Sequence, residues 1–241
     1  MTHASGFTPT PGAKMMFLIR RRPRVSREEL IAHWFANHMP GVIQRQALQA
    51  SAGKPAAWRY IGTLYDAAPE NVWDGVAQLW FDEPMAMPKE PFGTHPADSF
   101  QEKAEPYLPW ATTEYVVLNG ELPVTPLTLN PPFPTTRSGF LKLTSLVTAR
   151  PGIDHHALCR QWLDVHAPIS ASVIRKHGGF RYVLSLSRDP ENAPYAGMAE
   201  LYFETLDAWR ACAAELTADG MEAFIERSDF YTAGTEMVGI P

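Results

Sequence analysis

Two histidines are the clearest candidates for chemistry in this chain. His38 and His166 each follow a tryptophan by four residues, Trp34 and Trp162, and each stands two residues before a proline. Imidazole titrates close to neutral pH, so a histidine in an apolar pocket can act as a general acid or base. We predict that His38 moves a proton on a carbonyl- or phenol-bearing substrate, with His166 as a second catalytic candidate. Capping of helix carbonyls is the alternative role for both.

The other site candidates are aromatic or basic side chains. Tyr60, the third catalytic candidate, could donate a hydrogen bond to a developing oxyanion, and Arg59 could hold a substrate carboxylate. Alternation along a strand points these two side chains to opposite faces, and packing within the sheet is their alternative role. The remaining predicted substrate-binding residues are His33, Trp34, Trp80 and His95. His33 is five residues before His38, a spacing that puts the two rings on different helix faces and predicts no metal site.

Several other chemistries lack a motif in the sequence. The chain has no Gly-rich phosphate loop, no serine nucleophile elbow, no Cys-x-x-Cys and no carboxylate pair at metal-ligand spacing. We therefore predict neither a cofactor nor a metal. The two cysteines, Cys159 and Cys212, lie in apolar helical patterns, which indicates buried thiols in a reducing compartment.

Composition narrows the class of partner. The 241 residues are 45% hydrophobic and carry a net charge of −5, which argues against a nucleic-acid partner. No apolar run has the length of a membrane span, and residues 1–13 lack the basic and apolar regions of a secretory signal. We expect a cytoplasmic protein that binds a small apolar or aromatic molecule and neither nucleic acid nor membrane.

The segment that carries each histidine occurs twice. Eight positions within residues 22–40 recur 128 positions later within residues 150–168, six of them as identities. The match resumes at an offset of 122, where residues 75–81 correspond to residues 197–203. Repetition over about 100 residues predicts a duplicated small domain.

Each repeat has the predicted order β-α-β-β-α-β. Ser26 and Glu29 form a capping box at the start of the first helix, and Pro40 is expected to end that helix, which would put His38 in its last turn. The predicted elements of the first repeat are strands at 15–21, 57–65, 76–81 and 113–118, with a second helix at 97–104. In the second repeat they are strands at 140–148, 180–187, 197–203 and 235–240, with helices at 154–166 and 206–217.

The repeated motif resembles the opening of the EthD-like family of dimeric α+β barrels. Arg-Pro-x-x-Ser-x-Glu-Glu-Leu-x-x-His-Trp-x-x-x-His-x-Pro carries the resemblance, which is strongest over residues 20–40 and 148–168. The resemblance implies an α+β fold of two ferredoxin-like units, 14–118 and 139–241, that form an intramolecular dimeric α+β barrel. The Pro-rich residues 119–138 are predicted to be a semi-rigid linker. This intramolecular pseudo-dimer is compatible with a further homodimer.

The resemblance also implies a range of activities. The wider superfamily includes cofactor-independent isomerases, decarboxylases, cyclases and monooxygenases that act on lactones, aromatics or polyketides, and some relatives bind haem. We expect a cofactor-independent enzyme that isomerises, decarboxylates or cleaves such a molecule by general acid/base chemistry, for example in aromatic catabolism. The alternatives are a non-catalytic ligand-binding or accessory protein, and a haem-binding relative.

Differences between the repeats favour the first as the working half. Gln161 stands at the position of His33, and five of the seven tryptophans lie in the first repeat. We predict that the first repeat holds the larger and more polar pocket, with His38 at its wall and Trp34 behind it.

Overall fold

The computed structural model describes residues 6–122 and 139–241, which adopt a mixed α+β fold with antiparallel strand pairing. The first repeat comprises β1 (Ala13–Ile19), α1 (Arg27–His33), α2 (Met39–Ser51), β2 (Arg59–Leu64), β3 (Gly75–Phe81) and β4 (Trp110–Asn119). The second comprises β5 (Leu141–Ala149), α3 (His155–Arg160), α4 (Ala167–Lys176), β6 (Arg181–Ser187), β7 (Gly197–Phe203), α5 (Leu206–Glu215), β8 (Ile225–Ala233) and β9 (Thr235–Ile240). No helix in these ranges is long and apolar enough to cross a membrane. Most of the predicted linker lies outside the described residues.

The chain forms two compact units that do not coincide with the two repeats. The first unit contains residues 12–111 and 233–241, with strand order β1-β3-β2-β9. The second unit contains residues 6–11, 112–122 and 139–232, with strand order β8-β5-β7-β6-β4. The prediction placed the last strand of each repeat in the same unit as the rest of that repeat. In the structure, β9 of the second repeat pairs with β2 of the first, and β4 of the first repeat pairs with β6 of the second. The structure differs here because hydrogen-bonding capacity at a strand edge can be satisfied by any strand that reaches it.

The histidine motif lies inside a continuous helical segment. One π-helical turn, Trp34–His38, joins α1 to α2, and the Met39 amide donates to the Trp34 carbonyl five residues back. Pro40 follows directly, and the wider turn accommodates this residue, which has no amide hydrogen, without ending the helix. The same turn recurs at Gln161–His166. The expectation that His38 lies in the last turn of its helix is therefore wrong.

Other local predictions had mixed outcomes. The capping box is confirmed, since the Glu29 amide donates to Ser26 Oγ and the Ser26 amide donates to Glu29 Oε2. The helix predicted at 97–104 is wrong, because this segment forms turns. It is too short to nucleate a helix and lies between two prolines, Pro96 and Pro106. Strand β8 was not predicted, since its polar residues mask any alternation.

Each motif tryptophan packs on a glycine of its sheet. Trp34 and Trp162 are fully buried. A Cβ added to Gly75 would lie 2.9 Å from the ring of Trp34, and one added to Gly197 would lie 2.9 Å from the ring of Trp162. Glycine at the start of β3 and of β7 thus lets the indole rest on the strand backbone, which accounts for its place in the repeated pattern.

Candidate active site

The first unit contains an open, mainly apolar cavity of about 350 Å³. Its wall is formed by β1, β2, β3, the helical segment around α2 and the loop between β3 and β4. The polar residues on this wall are His38, Arg45, Gln46, Tyr60, Gln101 and Tyr107. The volume is at the lower end of the range for small-molecule sites, so the cavity fits a compact ligand.

A carboxylate that the sequence analysis did not identify holds the His38 ring. His38 Nδ1 lies 2.6 Å from Asp98 Oδ2, and the backbone N–H of Gln101 donates to Asp98 Oδ1 at 2.9 Å. The imidazole also packs on Phe100, with 4.4 Å between ring centroids. Only 11% of the His38 side chain is exposed. These contacts fix the orientation of a histidine that also lines the cavity.

The charge of Asp98 determines which nitrogen of His38 carries the proton. Burial of the Asp98 carboxyl opposes ionisation, but hydrogen bonds from His38 and from the Gln101 amide outweigh it, so the pKa of Asp98 is lowered. The ionised carboxylate can only accept a hydrogen bond, so Nδ1 is the protonated nitrogen. Nε2 is then the basic nitrogen of the neutral ring. A carboxylate that orients an imidazole in this way is a common arrangement for a general base.

Two tyrosines in the cavity can act as hydrogen-bond donors. Burial raises the pKa of Tyr60 well above its ordinary value, and burial raises the pKa of Tyr107 to about 12. The Tyr107 hydroxyl also accepts a hydrogen bond from Gln101 Nε2 at 3.3 Å. Both phenols are protonated at neutral pH, so they suit stabilisation of a carbonyl oxygen and not proton abstraction.

The structure brings together three of the predicted site residues in this cavity and places others on the opposite face of the sheet. His38, Trp34 and Tyr60 line the cavity. Strand register pairs Arg59 with Trp80, one residue out of phase with Tyr60, and the Arg59 guanidinium lies 5.1 Å from the Trp80 ring. Arg59 and Trp80 therefore lie outside the wall of the His38 cavity, as the expected alternation of Arg59 with Tyr60 requires, and their contact with substrate stays a prediction.

Two further predicted residues also lie outside the cavity wall. His33 Nδ1 is 2.8 Å from Ser99 Oγ, which ties the helix to the β3–β4 loop. His95 is a surface residue with 87% of its side chain exposed, 3.5 Å from Glu90 Oε2. Neither position supports the predicted contact with substrate, since polarity alone does not distinguish a pocket residue from a solvated one.

The second repeat contains the same histidine–aspartate pair in a closed form. His166 Nδ1 lies 2.7 Å from Asp219 Oδ2, and His166 Nε2 lies 3.2 Å from Ser170 Oγ. Ser170 corresponds to Val42 of the first repeat. The Ser170 hydroxyl therefore contacts Nε2 of His166, whereas Val42 has no hydroxyl to offer to Nε2 of His38.

The second unit has an apolar core of its own. Its residues include Trp162, Leu163, Tyr182, Leu201, Phe203 and Met221. The second unit does have a larger cleft of about 760 Å³, lined by His155 and Cys159, but His166 is not part of its wall. The expectation that the first repeat holds the larger pocket is wrong in volume, whereas His38 does line a cavity as predicted.

The sequence contains a weak signal for Asp98 and Asp219, which the sequence analysis did not identify. Ala97-Asp98-x-Phe100-Gln101 corresponds to Ala218-Asp219-x-Met221-Glu222 at an offset of 121. The surrounding segments differ in structure, since the first is a loop and the second contains α5. Asp98 is also 60 residues from His38, so only the path of the chain brings the two together.

Comparison with family models identifies a domain in the second repeat. No curated protein matches the chain. Residues 150–228 match the model of the EthD domain. The predicted resemblance is thus confirmed, and the match includes His166 and Asp219.

Solved structures support the fold class. A chlorite dismutase variant from Candidatus Nitrospira defluvii is 9% identical with a TM-score of 0.50, over 94% of this chain and 91% of that chain. A heme-binding protein from Thermus thermophilus is 13% identical with a TM-score of 0.44, over 97% and 95% of the two chains. At such identities the likeness concerns the fold alone, and the chlorite dismutase variant, with its TM-score of 0.50, supports a mixed α+β fold.

Proposed function

We propose that the first repeat is the working half of a cofactor-independent enzyme, with His38 as general base on a small aromatic, lactone or polyketide-like molecule. The observation that carries this proposal is the His38–Asp98 pair, whose 2.6 Å contact leaves the basic Nε2 of a cavity-lining ring for substrate. The proposal includes a duplication of ferredoxin-like units. Support for the duplication comes from the repeated β-α-β-β order, the repeated π turn and the repeated histidine–aspartate pair.

The chain's own residues can carry a proton transfer in a few steps. Nε2 of His38 takes a proton from a carbon or hydroxyl next to a substrate carbonyl, and Asp98 stabilises the imidazolium that forms. The Tyr60 hydroxyl donates a hydrogen bond to the carbonyl oxygen, where negative charge develops. The apolar wall excludes water and so strengthens both interactions. Return of the proton to another atom gives isomerisation. Breakage of a C–C bond in an oxyanion formed at a hydroxyl releases CO₂ or a carbonyl compound, and the carbanion that remains takes the proton back from His38, which gives decarboxylation or cleavage.

Deuterium exchange tests this proposal without knowledge of the product. The protein would be incubated in D₂O with a panel of aryl ketones and lactones, and loss of the C–H signal would be followed by NMR. We expect exchange of at least one compound, and a fall of about 10²- to 10⁴-fold in His38→Gln. His166→Gln is the matched control and should exchange at the wild-type rate. Binding of a panel compound without any exchange would favour a non-catalytic ligand-binding protein.

The His38 cavity and the surroundings of His166 do not fit haem, the second alternative. A porphyrin is larger than the compact ligands that a cavity of about 350 Å³ accommodates. The Nε2 atom of His166, which would have to face an iron, lies 3.2 Å from Ser170 Oγ. A Soret band that saturates at one haem per chain in a titration would contradict this reasoning. The cytoplasmic location, the homodimer and the exclusion of nucleic acid stay predictions.

A further inference from the structure

Arg45 supplies positive charge to the wall of the His38 cavity. It lies on α2, seven residues after His38, with Val42 between them on the same helix stripe. Seven residues correspond to a rise of about 10 Å along the helix. His38 and Arg45 therefore line one cavity from positions about two helical turns apart.

The Arg45 guanidinium acts on the described part of the fold through its charge, which helps to lower the pKa of Asp98. Among the residues that the structure describes, no carboxylate forms an ion pair or hydrogen bond with it. Arg21 and Arg27, in contrast, both pair with Asp74. Asp98, the acidic group nearest to the cavity, already binds His38. The Arg45 side chain is exposed at the edge of the apolar cavity, where a carboxylate that enters with the ligand can form a charge-assisted pair with it.

The second repeat shows that the helix does not need a cation at this position. Val173 and Ile174 correspond to Arg45 and Gln46. That repeat retains the helix, the π turn and the histidine–aspartate pair without an arginine at this position. The scaffold therefore does not require arginine here, which leaves Arg45 available for a role towards ligand.

We propose that the cavity binds a compact aromatic or other apolar acid, whose carboxylate pairs with Arg45 while its reacting end faces His38. A planar guanidinium binds carboxylate through two parallel hydrogen bonds, which also fixes the orientation of the ligand. The separation of base and cation leaves room for about one ring system between them. The assignment of the reacting end rests on the proposed function. The carboxylate site itself stands on the position of Arg45.

Two ligands of equal shape and different charge test the carboxylate site. Binding of 2-naphthoate and of 2-naphthamide would be measured by isothermal titration calorimetry at neutral pH. We expect wild-type protein to bind the acid about tenfold more tightly than the amide, the usual gain from a charge-assisted pair. Arg45→Met should lose this preference. The control Arg175→Met removes an exposed arginine of α4 and should keep it.

The same assay in His38→Gln separates this inference from the proposed function. A preference for the acid that persists in His38→Gln, with deuterium exchange absent even from wild type, would sink the acid/base proposal and leave the carboxylate site standing. Equal binding of acid and amide by wild type, or an unchanged preference in Arg45→Met, would overturn the carboxylate site. So would undetectable binding of both ligands at millimolar concentration. Circular dichroism melts would verify that each variant is folded.

Discussion

At the scale of single residues, the two repeats share a histidine–aspartate pair and differ in what surrounds it. Val42 leaves Nε2 of His38 without the hydroxyl that Ser170 offers to His166. The pair is therefore compatible with a structural role in one repeat and a chemical role in the other. This difference also explains why the short motif alone could not decide between the two roles.

The Asp98 carboxylate should make stability depend on pH. Its pKa is lowered in the folded protein, so its contribution to stability is complete above the unfolded value of about 4 and is lost as the pH falls through the folded pKa. We expect the difference in unfolding free energy between wild type and Asp98→Asn to be largest near pH 7 and to shrink below about pH 4. Urea denaturation at several pH values would measure it. The exposed Asp207→Asn variant provides the baseline, and a flat difference from pH 7 to 3 would contradict the prediction.

Alanine substitutions of Trp34 and of His38 should differ in their effects on unfolding free energy and on deuterium exchange. Trp34 is fully buried, and its truncation to alanine should cost about 3–5 kcal/mol of unfolding free energy. His38→Ala removes one hydrogen bond to a charged group, which should cost about 1–3 kcal/mol while abolishing deuterium exchange. Thermal melts and exchange rates on the same samples would show the contrast. Equal destabilisation by the two variants would assign His38 a structural role.

At the scale of elements, a helical tryptophan packs on a glycine at the start of a strand in each repeat, Trp34 on Gly75 and Trp162 on Gly197. The π turn lets the helical segment continue through Pro40, so that Trp34, His38 and Arg45 belong to one continuous helical segment. The β3–β4 loop then provides Asp98, which contacts His38 of this segment. In the second repeat α5 precedes Asp219 in the corresponding connection, and the pair is kept.

Gly75 should tolerate no side chain. An added Cβ would lie 2.4 Å from the Thr63 carbonyl oxygen and 2.9 Å from the Trp34 ring. Because neither the strand backbone nor the buried indole can move freely, Gly75→Ala should lower the unfolding free energy by about 1–3 kcal/mol. Chemical denaturation would measure the loss. Gly41→Ala is the control, since an added Cβ there meets nothing within 4 Å, and equal effects of the two substitutions would refute the packing argument.

At the scale of the whole molecule, each compact unit is completed by a strand from the other repeat. β9 runs antiparallel to β2, and Thr63 Oγ1 donates to the buried Glu236 at 3.2 Å. Met237 and Ile240 pack against the core that also contains Trp34. The first repeat therefore depends on the C-terminal end of the chain for a complete sheet.

Deletion of β9 should show how far the first unit depends on this strand. Removal of residues 234–241 should lower the urea midpoint and weaken binding of 2-naphthoate in the His38 cavity, although none of the deleted residues lines that cavity. The physical reason is the loss of the β2–β9 ladder and of the apolar contacts beside it. Removal of the exposed Pro241 alone is the control. An unchanged midpoint after the longer deletion would show that β9 is dispensable.

The sequence by itself determined the features that rest on local pattern. The repeated histidine motif follows from matched spacing, the start of α1 follows from the Ser26–Glu29 capping box, and the opposed directions of Arg59 and Tyr60 follow from strand alternation. These features depend on residues close in the chain, so periodicity and hydrogen-bonding capacity are sufficient to predict them. His38 was identified on the same basis.

Only the tertiary structure decided which side chains meet His38 and which strands complete each sheet. Asp98 comes from an irregular loop, and Arg45 is distinguished by its lack of a partner among the described residues. The exchange of β4 and β9 depends on which strand edges lie within reach. Contacts between distant segments depend on the path of the chain, and neither periodicity nor spacing within one element carries that information.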